Sequence, residues 1–175
     1  MKGKEMTDKF LYFAYGSNMF SRRLCAAKRA PSATVVKTGF VNGRRLTFDK
    51  VSSDGSGKCD IEETCNSDDR VYGVLHKINN SEKDALDRAE GCGNGYKEET
   101  VDVVTSSGTC QAVVYVATKK EPALRPYHWY KAIVIAGAVE HGLPEPYVEW
   151  IRTVESKPDP KIERRSDNEK LLFGS

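Results

Sequence analysis

The order of elements along this chain predicts an α+β fold whose antiparallel or mixed sheet can close into a small barrel. Three observations carry that expectation. Strand-like segments, rich in aromatic and β-branched residues, dominate the first two thirds of the sequence. Two Val-rich runs, around Val101 and Val103 and from Val113 to Val116, flank the turn Ser106-Ser107-Gly108 and predict an antiparallel pair. Beyond Pro126 the pattern becomes helical. No repeat or linker divides the 175 residues, which read as a single domain with its core at about 10–154.

The first strand is Phe10-Leu11-Tyr12-Phe13-Ala14-Tyr15, which runs without a polar break into Gly16-Ser17-Asn18. A glycine free to take positive φ, followed by two small polar residues, suits a turn or a helix N-cap. A buried strand that delivers such a turn can offer backbone N–H groups to a ligand. An ordinary strand-to-helix connection is the alternative. Ser21 to Arg29 predicts a short helix closed before Pro31, and Asn42-Gly43 between strand-like flanks is a hairpin signal. Residues 51–70, rich in Ser, Asp, Gly and charge, read as a long mobile loop. Arg70 to Ile78 is a strand. Asn80 or Ser81 then caps a helix through about Glu90, which Gly91 ends. Strands over Tyr96–Thr105 and Cys110–Thr118 follow, then helices over Tyr127–His141 and Tyr147–Val154 around the break Gly142-Leu143-Pro144. The polar tail 155–175, interrupted by Pro158 and Pro160, reads as loosely held.

Composition narrows the function. Hydrophobic residues make up 39% and charged residues 30%, with Lys+Arg 27 against Asp+Glu 25 and a net charge of +2. That balance argues against a dedicated nucleic-acid or membrane-surface binder. The basic doublets Arg22-Arg23, Lys28-Arg29, Arg44-Arg45 and Arg164-Arg165 are scattered and read as solvated surface. No window approaches the ~18 apolar residues of a membrane span, and the stretch before Phe10 lacks the apolar core of a signal peptide. Five cysteines at irregular spacings fit reduced thiols in a cytoplasmic protein better than a disulfide framework, with a Cys59–Cys65 bridge left open.

Several candidate chemistries fail on spacing. His76, His128 and His141 have no metal-ligand spacing, so no metal site is expected. The run Gly91-Cys92-Gly93-Asn94-Gly95 follows a helix and precedes a strand, the reverse of a dinucleotide fingerprint. Ser17 lacks the GxSxG of a nucleophile elbow, since position 19 is Met19. Glu90 stands apart. It shares a helix face with Leu86, the only large apolar side chain of its helix, and so lies near the core at the helix C-terminus. Partial burial in an unfavourable dipole is a setting that suits a carboxylate to general acid or base work. The alternative is a rim glutamate paired with Arg88 or a lysine.

Phe13-Ala14-Tyr15-Gly16-Ser17-Asn18-Met19, Leu86-Asp87-Arg88-Ala89-Glu90-Gly91, and the block from Tyr130-Lys131 through Gly137-Ala138 to Gly142-Leu143-Pro144 together resemble the γ-glutamylcyclotransferase superfamily. The resemblance spans roughly residues 10–154. The C-terminal block points to the branch acting on γ-glutamyl amino acids. Asn18 argues against the glutathione-specific and γ-glutamylamine-specific relatives, which show YGSL or YGT at the turn. The resemblance implies a small closed β-barrel with flanking helices, and release of 5-oxoproline without a cofactor. It implies Glu90 as the acid/base, Tyr15, Gly16, Ser17, Asn18, Met19 and Phe20 as the loop holding the γ-glutamyl group, and Tyr130 as a further substrate contact. A homodimer is compatible with it. Met19-Phe20 and Cys92-Gly93-Asn94 depart from the family pattern at the pocket rim and directly after the glutamate. The alternatives are a cyclotransferase for another γ-glutamyl compound (glutathione, a γ-glutamylamine or a biosynthetic intermediate) and a non-catalytic domain that binds a small acid. The presence of Glu90 favours catalysis.

Overall fold

A computed structural model describes residues 8–174. Seven strands are arranged as a closed barrel in the order β1-β5-β2-β6-β7 and a two-stranded sheet, β3-β4. The strands are β1 Lys9–Ala14, β2 Thr34–Asn42, β3 Arg44–Val51, β4 Gly57–Glu63, β5 Arg70–Asn79, β6 Tyr96–Thr105 and β7 Gly108–Ala117. The helices are α1 Ser21–Leu24, α2 Lys83–Glu90, α3 His128–Glu140, α4 Glu145–Thr153 and α5 Ile162–Phe173. The mixed closed barrel with flanking helices is therefore as expected. Its neighbours are antiparallel except where β1 meets β7 in parallel at Tyr12 and Val113.

The barrel closes around an apolar interior. Phe13, Val71, Val74, Ile78, Val103 and Val114 are fully buried, and their removal from water is the main force holding the strands together. The β6/β7 hairpin turns at Ser106-Ser107 as the Val alternation predicts, with Val101 opposite Ala112 and Val103 opposite Cys110. Helix α3 packs against the turn after β1 and against α4 and α5. It buries Ile133, Val134 and Ala138, so it is apolar on more than one face. Helix α2 ends as expected. Gly91 is left-handed at φ 67°, its N–H bonds to the Arg88 carbonyl, and that of Cys92 bonds to Asp87.

Four expectations are corrected. Residues 51–70 are not one long loop, because Gly57–Glu63 forms β4 and pairs with β3, Leu46 opposite Ile61. Leu46, Phe48, Cys59 and Ile61 are buried there, a short apolar alternation hidden among polar residues. Asn42-Gly43 does not close a hairpin between β2 and β3, since β2 pairs with β5 and β6. The chain instead passes at Gly43 from the barrel to the small sheet, held by the N–H of Gly43 on Asp69 and its carbonyl on Thr64. The tail is not loose either. It forms α5 after Asp159, whose buried carboxylate accepts bonds from Trp129 Nε1 and the Arg164 guanidinium. The predicted helix over 21–29 shrinks to α1, and turns carry the chain on to Ala30. All five cysteines are free thiols, Cys59 buried and Cys65 exposed, so the Cys59–Cys65 bridge is not formed. Among the described residues no helix is long and apolar enough to cross a membrane.

Candidate active site

The site begins where β1 ends. Tyr15 is buried, and its hydroxyl donates to the Tyr115 carbonyl at 2.6 Å, fixing the strand's exit. Gly16 has φ −118°, so the positive φ anticipated for it is not used. Its lack of a side chain matters for packing, since a Cβ there would sit 3.0 Å from Cys59 Cβ. Ser17–Met19 then make one 3-10 turn. Met19 donates its N–H to Gly16 and Phe20 to Ser17, which leaves the N–H groups of Gly16, Ser17 and Asn18 as the orphan donors of a helical start. Two contacts from α3 and its end brace the turn. His141 Nε2 donates to the Met19 carbonyl at 2.8 Å. Gly137 lies so close that a Cβ would come within 2.6 Å of Phe20 N.

Glu90, the last residue of α2, reaches this turn from the other side. Its Oε1 accepts Asn18 Nδ2 at 2.7 Å and Arg29 at 2.7 Å. Asn18, only 3% exposed, also donates to Tyr12 Oη at 3.1 Å, and its own Oδ1 accepts Arg29 at 3.3 Å. Among the described residues nothing bonds to Oε2. The partner envisaged for a rim glutamate was Arg88 or a lysine. Arg29 fills that place, and the carboxylate is only 18% exposed.

Glu90 looks into a cleft of about 580 Å³ bounded by the turn between β3 and β4, Lys58, and the Gly91–Gly95 loop. At its base lies a recess of about 20 Å³ walled by Tyr12, Tyr15, Gly16, Asn18, Tyr96 and Tyr130. Burial raises the hydroxyl ionisation of Tyr15, Tyr96 and Tyr130 well above the usual tyrosine range, so they stay phenols. The Cys59 thiol, pushed up to about 12 by burial, stays protonated too. Arg23, Arg29, Lys50 and Lys58 line the cleft as cations, and burial pulls Arg23, Lys50 and Lys58 below their ordinary values.

Of the residues expected at the site, Tyr15, Gly16, Ser17, Asn18, Glu90 and Tyr130 come together around the recess. Tyr130 Oη accepts the Cys59 N–H at 3.0 Å, which ties α3 to β4. Met19 and Phe20 do not line it. Met19 is fully buried in the core, and Phe20 packs against that core with Arg22 over its ring. Sequence reasoning missed Arg23 and Arg29, read as surface doublets, Lys50, left at the end of a strand-like flank, and Lys58, assigned to the 51–70 loop. Nothing local marked any of the four, since the cleft they line joins segments far apart in sequence. His76, unpartnered at Nδ1, packs edge-on against His141 in the core with its ionisation lowered to about 4 by burial.

The structure is thus of the class in which a closed barrel sets one carboxylate against a strand-ending turn, beside a cleft lined with cations. The model of the AIG2-like family matches residues 70–151. The chain is 35% identical over 157 residues to a γ-glutamylcyclotransferase of Homo sapiens and 34% to one of Bos taurus, each match covering 85% of this chain and 80% of the relative. A solved γ-glutamyl cyclotransferase structure superposes with a TM-score of 0.81 at 31% identity, over 93% of this chain and 99% of that one. The chain belongs to the γ-glutamylcyclotransferase family.

Proposed function

We propose that this protein releases 5-oxoproline and a free amino acid from γ-glutamyl amino acids, with Glu90 as general acid/base. The substrate's α-amine attacks its own γ-carbonyl and closes a five-membered ring, which requires neither a protein nucleophile nor a cofactor. That amine is an ammonium at neutral pH and must first lose a proton. Glu90 accepts it at Oε2, because Asn18 and Arg29 occupy Oε1, and returns it to the departing nitrogen as the C–N bond breaks. It relays in the same way the second proton that the ring nitrogen sheds on acylation. As the ring closes, the γ-carbonyl oxygen becomes an oxyanion, and the N–H groups of Gly16, Ser17 and Asn18 are the donors in reach. The cleft in front of Glu90 holds the γ-glutamyl chain curled, removing freedom that opposes ring closure in open solution.

One observation carries this reading. The turn that supplies the oxyanion donors also supplies, through Asn18, the bond that orients the base. The reading includes a cytoplasmic location, consistent with five free thiols, and a homodimer, which sedimentation would test. The direct test is a substrate panel assayed for 5-oxoproline. Turnover of γ-glutamyl-alanine with little from glutathione or a γ-glutamylamine is expected. Preference for either of the latter would reassign the substrate.

A further inference from the structure

The charges of the cleft do not balance, and the imbalance has a shape. Arg29 has its counter-charge on Glu90 at 2.7 Å and Lys58 has its own on Asp54 at 3.0 Å. Arg23 and Lys50 have none within ion-pair distance among the described residues. Lys50 is only 9% exposed. Its ammonium lies over the Tyr96 ring, 4.4 Å from the centroid, and against Gly95, where a Cβ would come within 2.9 Å of it. Arg23 has its Nε buried without a hydrogen-bond partner. Removing two cations from water without a counter-ion is costly, and both open onto the one cleft.

A γ-glutamyl amino acid carries two carboxylates, one at each end, and these match Arg23 and Lys50. Arg88 and Lys119, which also line the cleft without an ion pair among the described residues, are exposed to water. The connectivity of the substrate decides which goes where. The α-carboxylate of the γ-glutamyl unit shares a carbon with the amine that must reach Glu90, so it lies inside, beside the recess. Both cations feel Glu90, but Arg23 also feels Tyr130 and Tyr12, which wall the recess, whereas Lys50 also feels Asp54 in the turn between β3 and β4. The released amino acid points outward between the Gly91–Gly95 loop and the Ser52-Ser53 turn, where Lys50 stands. We propose that Lys50 is a specificity-determining residue that binds the carboxylate of the amino acid to be released, and that it thereby selects substrates with a free carboxylate next to the scissile amide. This rests on the functional reading above and assigns to it a contact from β3.

The test compares kcat/KM for γ-glutamyl-alanine and γ-glutamyl-alaninamide, which differ only in that carboxylate, in the wild type, Lys50→Met and Lys50→Arg. A site built to bind a polar group rejects the analogue that lacks it, so the wild type is expected to prefer the acid by ~10-fold or more. Lys50→Met should collapse the ratio toward one, mainly through a higher KM for the acid, since the contact is present in ground and transition states alike. Lys50→Arg should restore part of the preference. An equal loss on both substrates in Lys50→Met would mean that Lys50 only supports the fold, and would overturn the assignment. So would a wild type that does not distinguish the two. Release of 5-oxoproline from neither substrate would overturn the functional reading itself, and the role of Lys50 with it.

Discussion

Asn18 joins the turn, the base and the core. It donates from one amide nitrogen to both Glu90 and the buried Tyr12 hydroxyl. Asn18→Ala is therefore expected to lower kcat about 10- to 100-fold, the value of one charge-assisted bond. The same change should cost about 1–3 kcal/mol of stability for the polar groups left unpaired; steady-state kinetics and chemical denaturation check the two effects separately. At this scale the sequence was half legible. The turn and Glu90 could be read because small polar residues after an apolar strand, and a carboxylate on an apolar helix face, are local patterns. Arg29 could not, because its partner lies 61 residues away across the barrel mouth and an isolated basic doublet resembles any solvated surface.

The elements around the site act as braces. Gly137 lets α3 lie directly on the Ser17–Met19 turn, and a Cβ there would approach Met19 C to 2.7 Å. Gly137→Ala is expected to cost about 1–3 kcal/mol by overpacking and to lower kcat by displacing the donors, although the residue touches no substrate. Thermal melts and kinetics on the same preparation test this, and unchanged kcat would show that the turn does not depend on α3. Helix α5 is anchored through Asp159. Hydrogen bonds from Arg164, then Trp129 and the Lys161 N–H, hold that carboxyl well below the usual carboxylate range. Its contribution is therefore complete above about pH 4 and is lost as pH falls toward the depressed folded value. Asp159→Asn should lower the melting temperature near neutral pH and flatten its decline below about pH 4, a profile that calorimetry can read. The β6/β7 pair was legible because Val alternates over ten-residue strands. β4 was not, because its seven residues carry apolar side chains only at Cys59 and Ile61 and their burial depends on a partner strand. The tail helix was hidden for the same reason: its anchor is a contact with α3.

At the scale of the whole molecule, a nearly neutral protein of net charge +2 sets four cations, Arg23, Arg29, Lys50 and Lys58, along one cleft. Local field, not overall charge, then draws in a substrate whose two carboxylates outnumber its one ammonium. kcat/KM for γ-glutamyl-alanine should fall several-fold as ionic strength rises from roughly 0.01 M to roughly 0.15 M, where the screening length shrinks from about 30 Å to about 8 Å. kcat should change little, which initial rates across a salt series would establish. The small β3-β4 sheet makes this concentration possible, because it carries Lys50 and Lys58 to the cleft at which β1 and α2 end. The closed barrel could be expected from strand order and family resemblance, whereas the convergence of charges at its mouth required coordinates. The measurement that bears most directly on the central claim is 5-oxoproline release from γ-glutamyl-alanine by the wild type and by Glu90→Gln. The account predicts a loss of at least ~100-fold in the variant, the low end of a general base's contribution, with the fold intact by circular dichroism. A variant that retains wild-type turnover would show that the proton is taken elsewhere and would contradict the role assigned to Glu90.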